Sequence, residues 1–471
     1  MNAKRIGLLV GLLAFLLTIV VPAPAGMPGP AWTVAGLTVL MAAWWMSEAV
    51  PLTATALLPF VVLPFAKVMT AEQTASTYYS PILFLILGGA FLALAIERTG
   101  LHRRLALAIL KGVGKGGGST RLLLAFMLAS AIISMTISNT STALIMMPMA
   151  LAVLHGGGAD PDDHEGLSGA LPMGIAFAAS IGGLGTLIGS PTNPIAAGLL
   201  KQSIGLDISF AEWSLYGMPI VLLGVPLAAW IIAKVQRTAQ DPFDIEAARR
   251  AIATETAWTV AEKRLMPVLA GAFLLWILQE PVLKPILPDG SVTDGTIGVI
   301  AGLSLFLIPD GTGRPLLVWK EADRAPWGVI MMFGGGLALA AGMTKSGLAE
   351  WLGHSLLPLS AVPLIVVALA VTAMVIVITE FASNVATASG IIPVVASLIV
   401  ALGADPILLA MPAALAASWG FMLPSGTGPN AIAWATGRIR MSRLVSAGIA
   451  LDVVGAFLIV AVVWTVATLA G

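Results

Sequence analysis

Two short polar stretches interrupt long apolar surroundings in this chain, Ser138-Asn139-Thr140 and Ser383-Asn384. Further along from each lies a second interruption, Gly189-Ser190-Pro191-Thr192-Asn193 and Gly426-Thr427-Gly428-Pro429-Asn430. Gly and Pro break a helix and free its backbone groups. The helix starts that follow such breaks offer N–H donors and a positive dipole end suited to an anion. Freed carbonyls, hydroxyls and the Asn amide oxygen are hard ligands suited to a small alkali cation. None of the four motifs contains Arg, Lys or His. Bringing a dianion into a dry site without countercharge is costly, so co-bound cations are the natural neutraliser. Na⁺ is therefore the expected coupling ion. Protons are the weaker candidate, because the one carboxylate near these motifs is Glu380, three residues before Ser383. Glu380 is expected to shape the turn and its cation site rather than to bind the cation.

The elements that must position these groups are set by composition. The chain has 471 residues, 58% hydrophobic and 10% charged, where a soluble domain carries roughly 25% charge. Its mean hydropathy is +0.96. An all-α polytopic membrane protein follows. With 24 cationic and 24 acidic side chains and no long basic run, nucleic acid is not an expected partner. The absence of Cys excludes disulfides, thiolate catalysis and Cys-ligated metal centres. The 50 Gly and 30 Pro are scattered through apolar segments. Broken helices in lipid survive where they line a cavity or pack on protein, which points to a transporter.

Eleven stretches can cross ~30 Å of hydrocarbon: 6–21, 31–49, 51–66, 81–96, 167–200, 213–233, 265–279, 292–308, 326–341, 406–436 and 444–469. With Lys4 and Arg5 inside, the inner loops collect most of the cations, among them Arg98, Arg103, Arg104, Lys111, Lys115, Arg121, Lys234, Arg237, Arg249, Arg250, Lys263, Arg264, Arg314, Lys320, Arg324, Arg438, Arg440 and Arg443. The outer loops hold Lys67, Lys201, Lys284 and Lys345. This asymmetry predicts a cytoplasmic N-terminus, an outer C-terminus and an inner-membrane location. It holds only if 121–154 and 361–400 each enter and leave on one side, as re-entrant hairpins with the Ser-Asn stretches at their tips. Lys4-Arg5, an apolar run and Ala23-Pro24-Ala25 fit a signal peptide; a retained first helix is the expectation.

A shift of 245 residues superposes Pro81 on Pro326, Gly89 on Gly334, Leu92-Ala93-Leu94-Ala95 on Leu337-Ala338-Leu339-Ala340, Ser138-Asn139 on Ser383-Asn384 and Pro148 on Pro393. A shift of 237 aligns the two Gly/Pro/Asn breaks, the difference being absorbed by the acidic loop 155–166. The chain is internally duplicated. Each unit has five crossings, so the second copy is inverted, and matched interruptions in inverted repeats point to a transporter's midplane site. The predicted organisation is an N-terminal helix (1–30), a first repeat (31–240) with hairpin 121–154 and broken helix 167–200, a cytoplasmic linker (241–264), and a second repeat (265–471) with hairpin 361–400 and broken helix 406–436.

These motifs, with Trp44-Trp45-Met46-Ser47-Glu48-Ala49-Val50-Pro51, Thr55-Ala56-Leu57-Leu58-Pro59 and Phe421-Met422-Leu423-Pro424 through Asn430-Ala431-Ile432, resemble those of the divalent anion/sodium symporter family. The resemblance runs from about residue 32 to the C-terminus, with four motifs in order. It implies transport of a di- or tricarboxylate, or in some members sulfate. It also implies a homodimer whose protomers combine a scaffold with an elevator-type transport domain. Two or more Na⁺ ions are implied, one at Ser134, Ser138, Asn139 and the Gly189 backbone, another at Thr379, Ser383, Asn384 and the backbone of Ala382, Gly426 and Gly428. Substrate carboxylates would meet Asn139, Thr140, Ser190, Ser383, Asn384, Val385 and Thr427. Val385 stands where many members have a hydroxyl, and Pro191-Thr192-Asn193 and Gly428-Pro429-Asn430 replace the usual Pro-Pro-Asn. The leading expectation is Na⁺-coupled uptake. The alternatives are a Na⁺-independent dicarboxylate exchanger or sulfate transporter of the same fold and, more remotely, an intramembrane enzyme or a channel.

Other features carry less. Gly112 to Thr120 lacks the Gly-Lys-Ser/Thr ending of a phosphate loop. His155, Asp160, Asp162, Asp163, His164 and Glu165 read as a solvated acidic loop before they read as a metal site. His-Glu-x-x-His and Gly-x-Ser-x-Gly are absent, which leaves an enzyme without a visible nucleophile or metal. Glu48 and Asp452 sit in or beside spans, where charges are rare and often functional; Asp452 has no assigned role.

Overall fold

The computed structural model describes residues 3–113, 118–160, 163–238 and 257–470. Among these the chain is helical throughout, with a single isolated bridge between Pro309 and Pro315. Residues 114–117 of the Gly-rich stretch, and most of the 241–264 linker, lie outside the described residues.

Among the described residues, eight helices are long and apolar enough to cross a membrane, with three shorter apolar ones beside them. The stretch 51–66 is one of the shorter ones: Pro51, Pro59 and Pro64 divide it into Leu52–Thr55 and Leu58–Phe65. At 292–308 the helix is only Asp294–Ser304. The chain then doubles back, with Leu317 N–H donating to Leu305 O at 3.0 Å and Leu316 N–H to Ile308 O at 2.8 Å. The apolar run at 265 starts its helix five residues sooner, at Val260. A capping box of Thr259 and Glu262 satisfies the free amide ends there.

The duplication is visible in helix order. Pro81–Thr99, Leu101–Val113, Ser119–Ser134 and Asn139–Gly156 are followed by Gly166–Gly182, Thr192–Ile204 and Phe210–Val235. Trp327–Ser346, Leu348–Leu356, Leu364–Phe381 and Asn384–Leu402 are followed by Pro406–Ala416, Gly428–Ala435 and Met441–Ala470. Gly100 and Gly347, with φ of 80° and 83°, end the first helix of each series in the left-handed conformation that glycine adopts without strain.

The stretches 121–154 and 361–400 are each a pair of helices, interrupted at 135–138 and at 382–383. Both arms of the second reach 18 residues or more, a full span by length and composition. The two broken helices are interrupted after Gly185 and after Ala416. Packing is reciprocal between halves: Asn139–Gly156 lies on Gly428–Ala435, and Asn384–Leu402 on Thr192–Ile204. Gly166–Gly182 is buried along its whole length, which puts the first broken helix in the centre of the molecule.

Candidate functional site

Each tip is built by a serine. Ser138 and Ser383 hold extended backbone and accept the N–H of Ser141 (3.1 Å) and Ala386 (3.2 Å), capping the helices that begin at Asn139 and Asn384. The two Asn side chains therefore stand in the first helical turn, where the dipole is positive and N–H groups are free.

Behind each cap lies an oxygen cluster. Ser134 Oγ is 2.8 Å from Asn139 Oδ1 and 2.7 Å from Ala179 O. Thr379 Oγ1 is 2.9 Å from Asn384 Oδ1 and 2.8 Å from Ala417 O. A hydroxyl has one proton. It cannot serve two acceptors, so oxygens outnumber protons at both places. Ala179 and Ala417 lie in the last turns of the half-helices, where carbonyls carry the negative end of the dipole. Such a cluster is suited to a hard cation.

The backbone of the breaks closes in on the same groups. A methyl on Gly183 would stand 2.2 Å from Asn139 Oδ1, and one on Gly189 would meet Gly183 O at 2.6 Å and Ser134 O at 3.0 Å. In the second half, a methyl on Gly426 would meet Glu380 O at 3.3 Å. Ser134, Asn139 and Gly189 are thus brought together, as are Thr379, Asn384 and, through Glu380, Gly426. Ala382 is buried at the turn between them. The halves also touch: a methyl on Gly428 would lie 2.2 Å from Thr140 Oγ1.

A cavity of about 340 Å³ opens beside the first tip, lined by Ser138, Ser141, Ser190, Gly89, Glu97 and Arg324 among others. Of the expected substrate residues, Ser190 lines it; Asn139, Thr140, Ser383, Asn384, Val385 and Thr427 do not. Thr427 caps the helix Gly428–Ala435 by accepting the Asn430 N–H at 3.2 Å. Val385 packs among apolar side chains. Arg324 and Glu97, at the cavity wall, carried no sequence signal beyond their loop position.

Glu380 is fully buried. Its carboxylate accepts the N–H groups of Phe421, Met422 (2.9 Å) and Leu423 (3.0 Å), pinning the second break to the second hairpin. This is the shaping role expected for it. Asp452, 6% exposed, stands next to Glu380 on the last long helix. Glu48 holds a left-handed turn (φ 48°) that ends the helix Gly29–Ser47.

The loop at 155–166 is not merely solvated. Glu165 pairs with Arg443 (2.9 Å), Arg440 (3.2 Å) and Arg237 (3.8 Å). The hydrogen bond from Arg443 leads the effects that hold its carboxyl below the usual range. Among the described residues, no group of three His, Asp or Glu could hold a metal ion.

Duplicated breaks, paired oxygen clusters and a buried, helix-broken centre define a polytopic secondary transporter. The family described as "Sodium:sulfate symporter transmembrane region" matches residues 2–469. The chain belongs to the divalent anion/sodium symporter family, and the match takes in the first helix as well as the later motifs. A "Sodium-dependent dicarboxylate transporter SdcS" of Staphylococcus aureus (strain USA300) is 39% identical over 478 residues, covering 98% of this chain and 91% of that one. Its namesake from Staphylococcus saprophyticus is also 39% identical, with the same coverage. The relatives are transporters, not enzymes. A solved structure, the Alcanivorax borkumensis YdaH transporter, superposes with a TM-score of 0.57 over 98% of both chains at 16% identity, a likeness of fold alone.

Proposed function

We propose that this protein couples uptake of a small di- or tricarboxylate, such as succinate, malate, fumarate or citrate, to the inward flow of two or more Na⁺ ions. The observation that carries this reading is the repeated oxygen cluster, Ser134/Asn139/Ala179 and Thr379/Asn384/Ala417, in which acceptors outnumber protons. Cations held there would neutralise a dianion in motifs without Arg, Lys or His. The names of the 39%-identical relatives support both the ion and the substrate class.

In this reading the two helix pairs are re-entrant hairpins, and their tips, with Asn139, Thr140, Ser190, Ser383, Asn384 and Thr427, close on the carboxylates. Ser138, Ser383 and the backbone of Gly189, Ala382, Gly426 and Gly428 complete the ion sites. The two halves are inverted, and the tips and breaks move together as an elevator against a dimeric scaffold in the cytoplasmic membrane. The N-terminus is cytoplasmic and the C-terminus outside. The cavity beside Ser138 is then an inner vestibule, since Arg324 and Glu97 are inner-loop residues by the charge rule.

The test is uptake of radiolabelled succinate, with citrate and sulfate in parallel, into proteoliposomes with and without an inward Na⁺ gradient. Uptake that requires Na⁺ supports symport. Uptake that ignores Na⁺ but needs internal dicarboxylate makes the protein an exchanger.

A further inference from the structure

Among the described residues, the buried side-chain oxygens without a hydrogen-bond partner include three repeat-related pairs: Thr142 and Thr387, Ser180 and Ser418, Asn193 and Asn430. Unpaired buried acceptors are costly and uncommon. Their recurrence at corresponding positions of both halves marks a designed feature rather than a packing defect.

The Asn pair is the most tightly defined. Asn193 is fully buried and donates through Nδ2 to Gly183 O at 2.7 Å and Thr186 O at 2.8 Å. Two carbonyl partners leave the amide one orientation. Its Oδ1 is then the atom left over. Gly183 is also the residue on which an added methyl would meet Asn139 Oδ1, and its carbonyl faces Gly189. Asn193 thus belongs to the wall of the first oxygen cluster. Asn430, equally buried, donates through Nδ2 to Leu423 O at 3.1 Å. Leu423 O also faces Gly426, and Leu423 N–H is held by Glu380. Asn430 therefore lies against the stretch of the second break that Glu380, the neighbour of Thr379, holds in place.

We propose that the amide oxygens of Asn193 and Asn430 are cation ligands, one for each Na⁺ site, and that each amide nitrogen holds the broken helix in the shape that presents them. A neutral carbonyl oxygen in a fully buried setting is the donor type that an alkali cation accepts, and an Asn anchored through its nitrogen loses little further freedom on binding. The inference rests on the Na⁺-coupled reading above and extends it to two residues outside the tips.

The experiment uses the purified full-length protein without substrate. Thermal unfolding is followed while NaCl replaces choline chloride at constant ionic strength, because a ligand of the folded state raises the melting temperature by mass action. Asn193→Ala and Asn430→Ala should each need about 10- to 100-fold more Na⁺ for half of the remaining stabilisation, by analogy with the loss of a metal's supporting groups. A purely structural role would lower the melting temperature equally in Na⁺ and in choline. Asn193→Leu and Asn430→Leu, close to Asn in volume but without any oxygen, carry the same test where the Ala variants do not fold. A wild-type protein that gains nothing from Na⁺ sinks the symport reading itself. A wild-type response retained unchanged in both variants overturns this inference alone.

Discussion

Glu380 Oε2 accepts the backbone N–H of Leu423 at 3.0 Å, and with Phe421 and Met422 on Oε1 the carboxylate closes three amide groups of the second break. Glu380→Ala would strand three N–H groups, one buried and two partly buried, and cost about 3–5 kcal/mol, enough to prevent isolation of a folded protein. Glu380→Gln retains one amide oxygen and should fold, with a lowered melting temperature. Size-exclusion profiles and thermal unfolding of the two variants check this. Equal stability of Glu380→Ala and wild type would remove Glu380 from its shaping role.

The paired clusters predict an asymmetry between isosteres. Thr379 uses its hydroxyl, as Ser134 does in the first half, and its methyl group has no counterpart there. Thr379→Ser should transport with an unchanged Na⁺ dependence. Thr379→Val, close in shape but without the oxygen, should raise the half-saturating Na⁺ about tenfold or more. Initial rates of succinate uptake against external Na⁺ separate the two. A Thr379→Val protein with wild-type Na⁺ dependence would exclude that hydroxyl from the ion site.

Much of this was legible in the sequence, for a physical reason. In a background of Leu and Ala, the residues that break or cap a helix stand out, so a constant shift matching Pro, Gly, Ser and Asn points to a duplication and locates the four helix interruptions. Caps are local, and Ser138 and Ser383 cap as their types suggest. Helix lengths were less legible, because Val260 begins its helix through a polar capping box that a hydropathy reading passes over. Contacts between distant segments were not legible at all. Nothing local announces that Asp452 meets Glu380, or that Glu165 gathers Arg237, Arg440 and Arg443 from two other segments. The repeat places Asn193 on Asn430, yet only their folded surroundings leave an oxygen of each unpaired.

The Glu165 cluster makes a prediction about pH. Its carboxyl is held below the ordinary value, first by the hydrogen bond from Arg443. A group with a depressed folded-state pKa contributes stability that is present above its unfolded value, about 4.3, and is lost as pH falls through the folded value. The melting temperature of wild type should therefore decline on acidification below about pH 4.3 more steeply than that of Glu165→Gln. At neutral pH and high salt the two should converge, since these pairs are partly exposed and screened. Parallel curves at all pH values would mean the cluster contributes nothing.

Contact between the halves at the site predicts a coupled pair. A methyl on Gly428 would lie 2.2 Å from Thr140 Oγ1 and 3.2 Å from its Cβ, so Gly428→Ala forces the first tip away from the second break. Overpacking of this kind costs about 1–3 kcal/mol. Thr140→Ala removes the hydroxyl and lifts most of the clash, leaving two methyl groups at a separation that a few tenths of an ångström relieve. Gly428→Ala should therefore lower succinate uptake strongly, and the double variant should recover part of it relative to the sum of the single effects. The interaction energy from the cycle should be about 0.5–3 kcal/mol in favour of the pair. Additive effects would separate Thr140 from Gly428 in the transporting protein and leave the halves without this contact during the cycle.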